Sequence, residues 1–228
     1  MTRHWNTLAV ANIIFFGFLF PPFFLTNTAF AKERVKWSVY TSKVNKPIPR
    51  LVAAPVATLR TLPSKCVGKD CFDWTTPVDG KPVSLRGAGL FRFLRIEVYT
   101  AAFYSPWEAA STEDILGDVP KSLEFRYHHE IKGGDIRKIV DKNLRGNPNV
   151  DYKKIQRRLE KLDAYYHDVK PGDRYRVTYI PKQGTFFEFN GKQEIAVPGE
   201  DFAGAYFSVW ISRYSINQKF RKTLLGLK

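Results

Sequence analysis

The grouping of segments in which apolar and polar side chains alternate is the feature that most constrains the fold. Residues 121–131 (KSLEFRYHHEI) alternate almost throughout, so Leu123, Phe125 and Tyr127 are predicted to share one face of a strand. Helical spacing occurs in separate segments, which favours an α+β protein with a mainly antiparallel sheet. Further strand-like runs cover residues 83–85, 91–104, 175–179, 187–189 and 194–197.

These runs are separated by glycine-containing segments and by predicted helix starts. Residues 87–89 (GAG) are predicted to form a turn, and a change of apolar parity near Phe93 indicates a bulge or burial of both faces. Asp135 and Asp151 are predicted to cap two helices, because aspartate accepts hydrogen bonds from the free amides at a helix start. Other helices are predicted within residues 105–117, 202–210 and 216–224.

His129 falls on the apolar face of the predicted strand 121–131, whereas His128 falls on the polar face. A buried imidazole needs a hydrogen-bond partner. One interpretation is a core histidine bonded to a backbone carbonyl or to Tyr99 or Tyr127. The other is a histidine that binds a ligand carboxylate, or a haem iron or other metal. A metal site would need a second ligand, so no cofactor and no metal are predicted, and haem is the less supported alternative.

The N-terminus resembles a secretory signal peptide. A short basic start precedes an apolar run at residues 8–25 and a small-x-small site that ends at Ala31. We therefore predict cleavage after Ala31 and a periplasmic protein. The alternative is an N-terminal membrane anchor, since the run is about long enough to span a bilayer.

Residues 32–77 are predicted to be an N-terminal extension with little regular structure, because prolines interrupt it and periodicity is weak. Its only cysteines are Cys66 and Cys71. In an exported protein an even pair at this short spacing favours a disulfide over two free thiols.

The formal net charge of +14 favours anionic partners. Basic residues line the outer face of the helix predicted over residues 152–166, which is either an anionic-membrane docking face or an ordinary solvated surface. The chain contains no nucleic-acid-binding motif, and export argues against nucleic acid as a partner.

A series of short motifs resembles, in order and spacing, the bacterial chalcone isomerase-like family, the exported relatives of plant chalcone isomerases and plastid fatty-acid-binding proteins. The resemblance covers about residues 78–226, so a chalcone isomerase-like domain is expected over residues 78–228. The motifs lie at residues 87–90 (GAGL), 98–104 (VYTAAFY), 120–124 (PKSLE), 168–173 (DVKPGD), 179–181 (YIP), 184–185 (GT), 189–191 (FNG), 198–202 (PGEDF), 209–211 (VWI) and 224–226 (LLG).

The resemblance implies an open-faced β-sandwich, in which helices cover one side of a large antiparallel sheet and leave a ligand cleft between the layers. It also implies either isomerase chemistry or the binding of an apolar, often acidic, ligand. Family enzymes carry an arginine after the GAG segment and a threonine on the next strand, and these positions fall at about Arg92 and Tyr99. The family's helical tyrosine and asparagine have no matching counterpart in this sequence.

Two functions follow from these expectations. The first is binding of a fatty acid or similar amphipathic ligand without turnover, with Arg92 or His129 holding a carboxylate at one end of an aromatic cleft. The second is an intramolecular lyase or isomerase acting on an enone, with Arg92 as the electrophile and Tyr99 as the orienting hydroxyl. The predicted cleft residues are Arg92, Tyr99, Phe125, Tyr127, His129, Phe187 and Trp210.

Overall fold

The computed structural model describes residues 64–227. The predicted signal peptide and most of the predicted extension lie outside the described residues. Seven strands form one antiparallel sheet in chain order, and two earlier strands form a separate hairpin. The hairpin consists of β1 (Ser64–Val67) and β2 (Asp70–Asp73); the sheet consists of β3 (Thr75–Val78), β4 (Lys81–Phe93), β5 (Ile96–Tyr104), β6 (Lys121–Tyr127), β7 (Arg174–Ile180), β8 (Gly184–Phe189) and β9 (Lys192–Val197).

Five helices accompany the sheet and share its main apolar core, so the predicted α+β architecture is confirmed. Asp151 caps α3 as predicted, since its carboxylate accepts a hydrogen bond from the Lys154 amide. The first of the two central helices begins at Gly133, before the predicted cap at Asp135. The helices are α1 (Thr112–Leu116), α2 (Gly133–Gly146), α3 (Tyr152–Leu162), α4 (Glu200–Ile211) and α5 (Gln218–Leu224).

Strand β6 keeps the predicted alternation only as far as Tyr127. Phe125 and Tyr127 are buried in the core that the helices share. The chain then bends, and the His128 amide donates to the Val98 carbonyl at 2.9 Å. Alternation of faces applies only within a strand, so it fails beyond this bend. The prediction that His129 faces the interior is therefore wrong: its side chain is exposed.

The segment predicted as one strand over residues 91–104 is two strands joined by a tight turn. Leu94 lies in this turn with a φ of +56°, and Phe93 pairs with Ile96 across it. The change of apolar parity therefore marks the hairpin turn. A register shift between Phe91 and Arg92 adds the predicted bulge close to the same point.

Gly87 lies inside strand β4, and the predicted turn at residues 87–89 is wrong. A Cβ atom at Gly87 would lie 2.1 Å from the carbonyl oxygen of Thr223, near the end of α5. The glycine is required because helix and strand backbones approach closely there, not because the chain reverses.

The β1–β2 hairpin covers part of the sheet face that is opposite the helices. Cys66 and Cys71 are direct cross-strand partners and form the predicted disulfide. Phe72 is buried in a second core cluster, and the Arg126 guanidinium lies 4.3 Å from the centre of its ring. Asp70 accepts a hydrogen bond from His128 at 2.8 Å. The described part of the segment predicted to lack regular structure therefore forms strands from Ser64 onward.

Candidate functional site

The structure brings the predicted aromatic cleft residues together between the sheet and α4. The ring centres of Tyr99 and Phe125 are 5.3 Å apart, and those of Phe125 and Trp210 are 5.2 Å apart. Tyr206, on α4, joins this group to Phe187 with a ring distance of 4.9 Å. These rings pack against one another, so an occupant of this space must displace them.

Five tyrosines converge at this sheet–helix interface, and we call them the tyrosine cluster: Tyr99, Tyr127, Tyr166, Tyr175 and Tyr206. Tyr127 lies between two of them, with ring distances of 5.7 Å to Tyr99 and 6.2 Å to Tyr175. The hydroxyls of Tyr166 and Tyr206 are 3.3 Å apart. The sequence analysis missed Tyr166, Tyr175 and Tyr206 as site residues, although the alternation around Tyr175 and the helical spacing of Tyr206 predicted their burial.

Burial keeps the cluster's phenols protonated. It raises the pKa of Tyr175 to about 12 and raises the pKa values of Tyr99, Tyr127 and Tyr206 well above the usual 10. At physiological pH these side chains are therefore neutral hydrogen-bond donors. Such donors suit a ligand oxygen in a poorly hydrated site, and they cannot act as bases there.

Three hydroxyls of the cluster keep a free donor, because whichever of Tyr166 and Tyr206 accepts their shared hydrogen bond also keeps its own proton. The Tyr99 hydroxyl accepts from Trp210 Nε1 at 3.3 Å, which leaves its own proton available. Tyr127 takes part in no hydrogen bond through its hydroxyl among residues 64–227. By contrast, the Tyr175 hydroxyl is used: it donates to the Tyr165 carbonyl at 2.9 Å and accepts from the His167 amide at 2.6 Å. A ligand carboxylate would satisfy Tyr99 and Tyr127.

Three tyrosines of the cluster are slightly exposed to solvent. Tyr99, Tyr127 and Tyr175 remain 6–8% exposed, whereas Phe103 and Leu123, further along the same strands, are 0% exposed. These three tyrosines are therefore closer to solvent than the middle of strands β5 and β6.

A cavity of about 610 Å³ opens at the same end of the sheet, and we call it the strand-end cavity. Its volume is within the usual range for small-molecule sites. Phe189 forms part of its wall and also packs on Tyr175 at 4.9 Å, so this ring separates the cavity from the cluster. The lining residues are Glu130, Ile131, Lys132, Asp168, Val169, Lys170, Asp173, Phe189 and Asn190.

His167 is a second side chain near this cavity that the sequence analysis did not assign to the site. Its ring stacks on Phe189 at 4.6 Å, and its Nε2 atom is buried without a hydrogen-bond partner in the described part of the chain. The nearest carboxylate oxygen, on Glu194, lies 3.9 Å away. No local pattern in the sequence links residue 167, in the segment before β7, to residue 189 at the end of β8. The two residues meet only in the folded protein.

Two predicted site residues, Arg92 and His129, lie outside the tyrosine cluster. Arg92 is exposed at the end of the β4–β5 hairpin, where it donates to Glu97 at 2.7 Å. Tyr99, the hydroxyl predicted to act with Arg92, belongs to the tyrosine cluster and stacks on Phe91 with a ring distance of 5.0 Å. His129 is exposed and outside the cluster. The cationic end predicted for the cleft is therefore not formed by these two side chains in this structure.

A family model described as chalcone isomerase-like matches residues 65–226. The chain belongs to the chalcone isomerase-like family. The match starts within the disulfide hairpin, ahead of the domain start predicted at residue 78. It confirms the resemblance found in the sequence, and the sheet with its helical layer is the corresponding fold.

A solved structure of a fatty-acid binding protein from Arabidopsis thaliana has the same fold as this chalcone isomerase-like chain, with a TM-score of 0.57 at 12% sequence identity. The match covers 72% of this chain and 96% of the plant protein. No curated protein sequence matches the chain significantly. None of the helices within residues 64–227 is long and apolar enough to cross a membrane.

Proposed function

We propose that this protein is a periplasmic chalcone isomerase-like protein that binds a fatty acid or similar amphipathic acid without turning it over. The ligand enters through the strand-end cavity and lies between the sheet and α4. Its carboxylate accepts hydrogen bonds from Tyr127 and Tyr99. The observation that carries this proposal is a pair of phenol donors on largely buried tyrosines, Tyr99 and Tyr127, whose hydroxyl protons have no acceptor among the described residues.

The surroundings of these donors support an apolar ligand. Phe125 and Trp210 adjoin Tyr99 and offer aromatic surface to an alkyl chain. Hydrogen bonds from neutral phenols are strong where water is excluded, so a carboxylate can be held without a neighbouring cation.

Binding without turnover is favoured over the isomerase alternative because of where Arg92 lies. An isomerase of the enone type needs a cation beside the developing enolate. The Arg92 guanidinium is instead engaged by Glu97 at an exposed hairpin end. The fatty-acid binding protein from Arabidopsis thaliana, which has the same fold, also supports a binding function.

The proposal is tested by extracting the exported protein with organic solvent and identifying the extracted molecules by mass spectrometry. The stripped protein is then titrated calorimetrically with saturated fatty acids of several chain lengths. We expect an acidic lipid in the extract and saturable binding that depends on chain length. A clean extract together with no heat of binding for any of these acids would contradict the proposal.

A further inference from the structure

The end of the β4–β5 hairpin exposes a compact group of large apolar side chains. Leu94 is 84% exposed, Phe93 is 62% exposed and Ile96 is 45% exposed. Three such side chains within four consecutive residues are unusual on a soluble surface and mark a site of contact with a partner or a membrane. We call residues 93–96 the hairpin tip.

The hairpin tip projects beyond the neighbouring strand. Strand β6 pairs with β5 only from Tyr99 onward, whereas the β4–β5 pairing continues to Phe93 and Ile96. The tip is therefore a two-stranded ribbon with a tight turn at its end. Its apolar side chains can enter a membrane interface without moving the rest of the sheet.

Basic side chains lie at the hairpin tip and on the neighbouring helix α5. Arg92 and Arg95 flank Leu94 in the sequence and are exposed. Helix α5, whose Phe220 packs on Phe91 at 5.4 Å, adds the exposed Lys219 and Lys222. Glu97 offsets one of these charges through its ion pair with Arg92. Exposed apolar side chains next to arginines have the composition of a segment that inserts into an anionic lipid surface.

We propose that the hairpin tip docks this protein on anionic phospholipid bilayers, with Phe93, Leu94 and Ile96 inserted at the level of the headgroups. Phe91, next to the tip, stacks on Tyr99 of the tyrosine cluster. Docking therefore places the tyrosine cluster close to the membrane, which is a source of apolar acids. This last point rests on the proposed ligand-binding function, whereas docking itself does not.

The basic face of α3 is a different kind of surface. Its apolar residues Ile155, Leu159 and Leu162 are buried in the protein core. Arg158 donates to Asp201 at 2.6 Å and is held against α4. This helix can attract an anionic membrane but has no large apolar side chain to insert, so the hairpin tip is the better insertion site.

The test uses the protein purified in the form that the cell exports, carrying Leu94→Cys labelled with an environment-sensitive fluorophore. The native cysteines are joined in the disulfide and stay unlabelled in the absence of reductant. Ile139→Cys on α2 is the matched control, because Ile139 is also a large, exposed apolar residue. Vesicles are made of phosphatidylcholine with or without phosphatidylglycerol.

We expect phosphatidylglycerol vesicles to shift the label at residue 94 to the blue, and nitroxide groups in the lipid chains to quench it. The label at residue 139 should change little. Replacing Phe93, Leu94 and Ile96 together by Ser should weaken binding in vesicle sedimentation about tenfold or more.

An unchanged label at residue 94, or parental vesicle binding by the triple variant, would overturn the docking proposal. A blue shift that depends on protein concentration without vesicles would also overturn it and identify a second copy as the occupant. Fatty-acid titrations of the triple variant separate the two proposals. Intact acid binding with lost docking in the triple variant confirms that the tip acts on the membrane. Docking by the parent protein without acid binding would remove only the ligand-binding proposal.

Discussion

At the scale of single residues, the proposed site depends on which tyrosine hydroxyls have hydrogen-bond partners within the protein. Tyr127 and Tyr175 are neighbouring buried tyrosines, but only the Tyr175 hydroxyl has backbone partners. The Tyr127 hydroxyl has no partner within the described residues, so its proton is available to a bound ligand. Alternation in the sequence predicted that Tyr127 is buried. It could not predict that its hydroxyl is free, because the acceptors come from distant segments.

Replacing Tyr127 by Phe should therefore weaken fatty-acid binding while leaving the fold intact. The ring and its packing remain, and one charge-assisted hydrogen bond is lost, so we expect about tenfold or more weaker binding in calorimetric titration. Binding of the methyl ester should change much less. Tyr104→Phe removes a buried hydroxyl from the second core cluster and is the matched control. Equal effects of the two variants would contradict the assignment.

Lys121 gives a second prediction at this scale. Its side chain is fully buried, and its ammonium donates to the carbonyls of Gly117 at 2.7 Å and Val119 at 2.9 Å. Burial lowers the pKa of Lys121 from 10.5 to about 7. The unfolded chain therefore binds more protons than the folded protein between these two values. Stability contributed by this group consequently rises with pH across that window.

Urea unfolding between about pH 7 and 9 tests this dependence. The parent should gain up to about 1.4 kcal/mol of unfolding free energy per pH unit relative to Lys121→Met, which lacks the titrating group. Lys81→Met, at an exposed lysine on β4, should keep the parental slope. Parallel pH profiles for the parent and Lys121→Met would show that the buried ammonium does not titrate in this range.

At the scale of secondary structure, local patterns predicted the elements that local forces form. The apolar face of β6 and the Asp151 cap of α3 depend on neighbours within one element, and both are confirmed. The opposite face of β6 is also largely buried, which its polar residues did not predict. The β4–β5 turn was missed because Leu94 adopts a positive φ that is normally signalled by Asn or Gly. Gly87 was misassigned because its partner, Thr223, is distant in sequence.

Two glycine substitutions should have opposite effects. Gly87→Ala places a methyl group against the Thr223 carbonyl and should destabilise the protein by about 1–3 kcal/mol. Gly134→Ala, in helix α2 with open space around its Cβ position, should stabilise it by about 0.5–1 kcal/mol. Chemical unfolding measures both changes. A neutral Gly87→Ala would mean that α5 does not approach β4 this closely in solution.

At the scale of the whole molecule, the family fold is layered, and the proposed ligand site and the hairpin tip lie at one end of its sheet. The β4–β5 hairpin tip, the end of β6 and the β8–β9 turn lie at the same end of the antiparallel sheet. The sequence predicted the sheet and the aromatic residues between the layers. It could not place the strand-end cavity, which is formed by loops from three distant parts of the chain.

Export is a further prediction at this scale. The protein recovered from the periplasm should begin at Lys32, after cleavage at Ala31, and its intact mass should be two hydrogens lower than that of the reduced chain. The disulfide between Cys66 and Cys71 accounts for those two hydrogens. Intact-mass spectrometry with and without reductant checks both points. Retention of residues 1–31 would instead support a membrane anchor.

A crystal structure of the protein grown with a saturated fatty acid tests the central claim most directly. The proposed binding mode predicts the acid between the sheet and α4, with its carboxylate within hydrogen-bond reach of the Tyr127 hydroxyl and its chain along Phe125 and Trp210. A complex in which the acid occupies only the outer cavity, or in which the tyrosine cluster stays packed and empty at saturating acid, would contradict it.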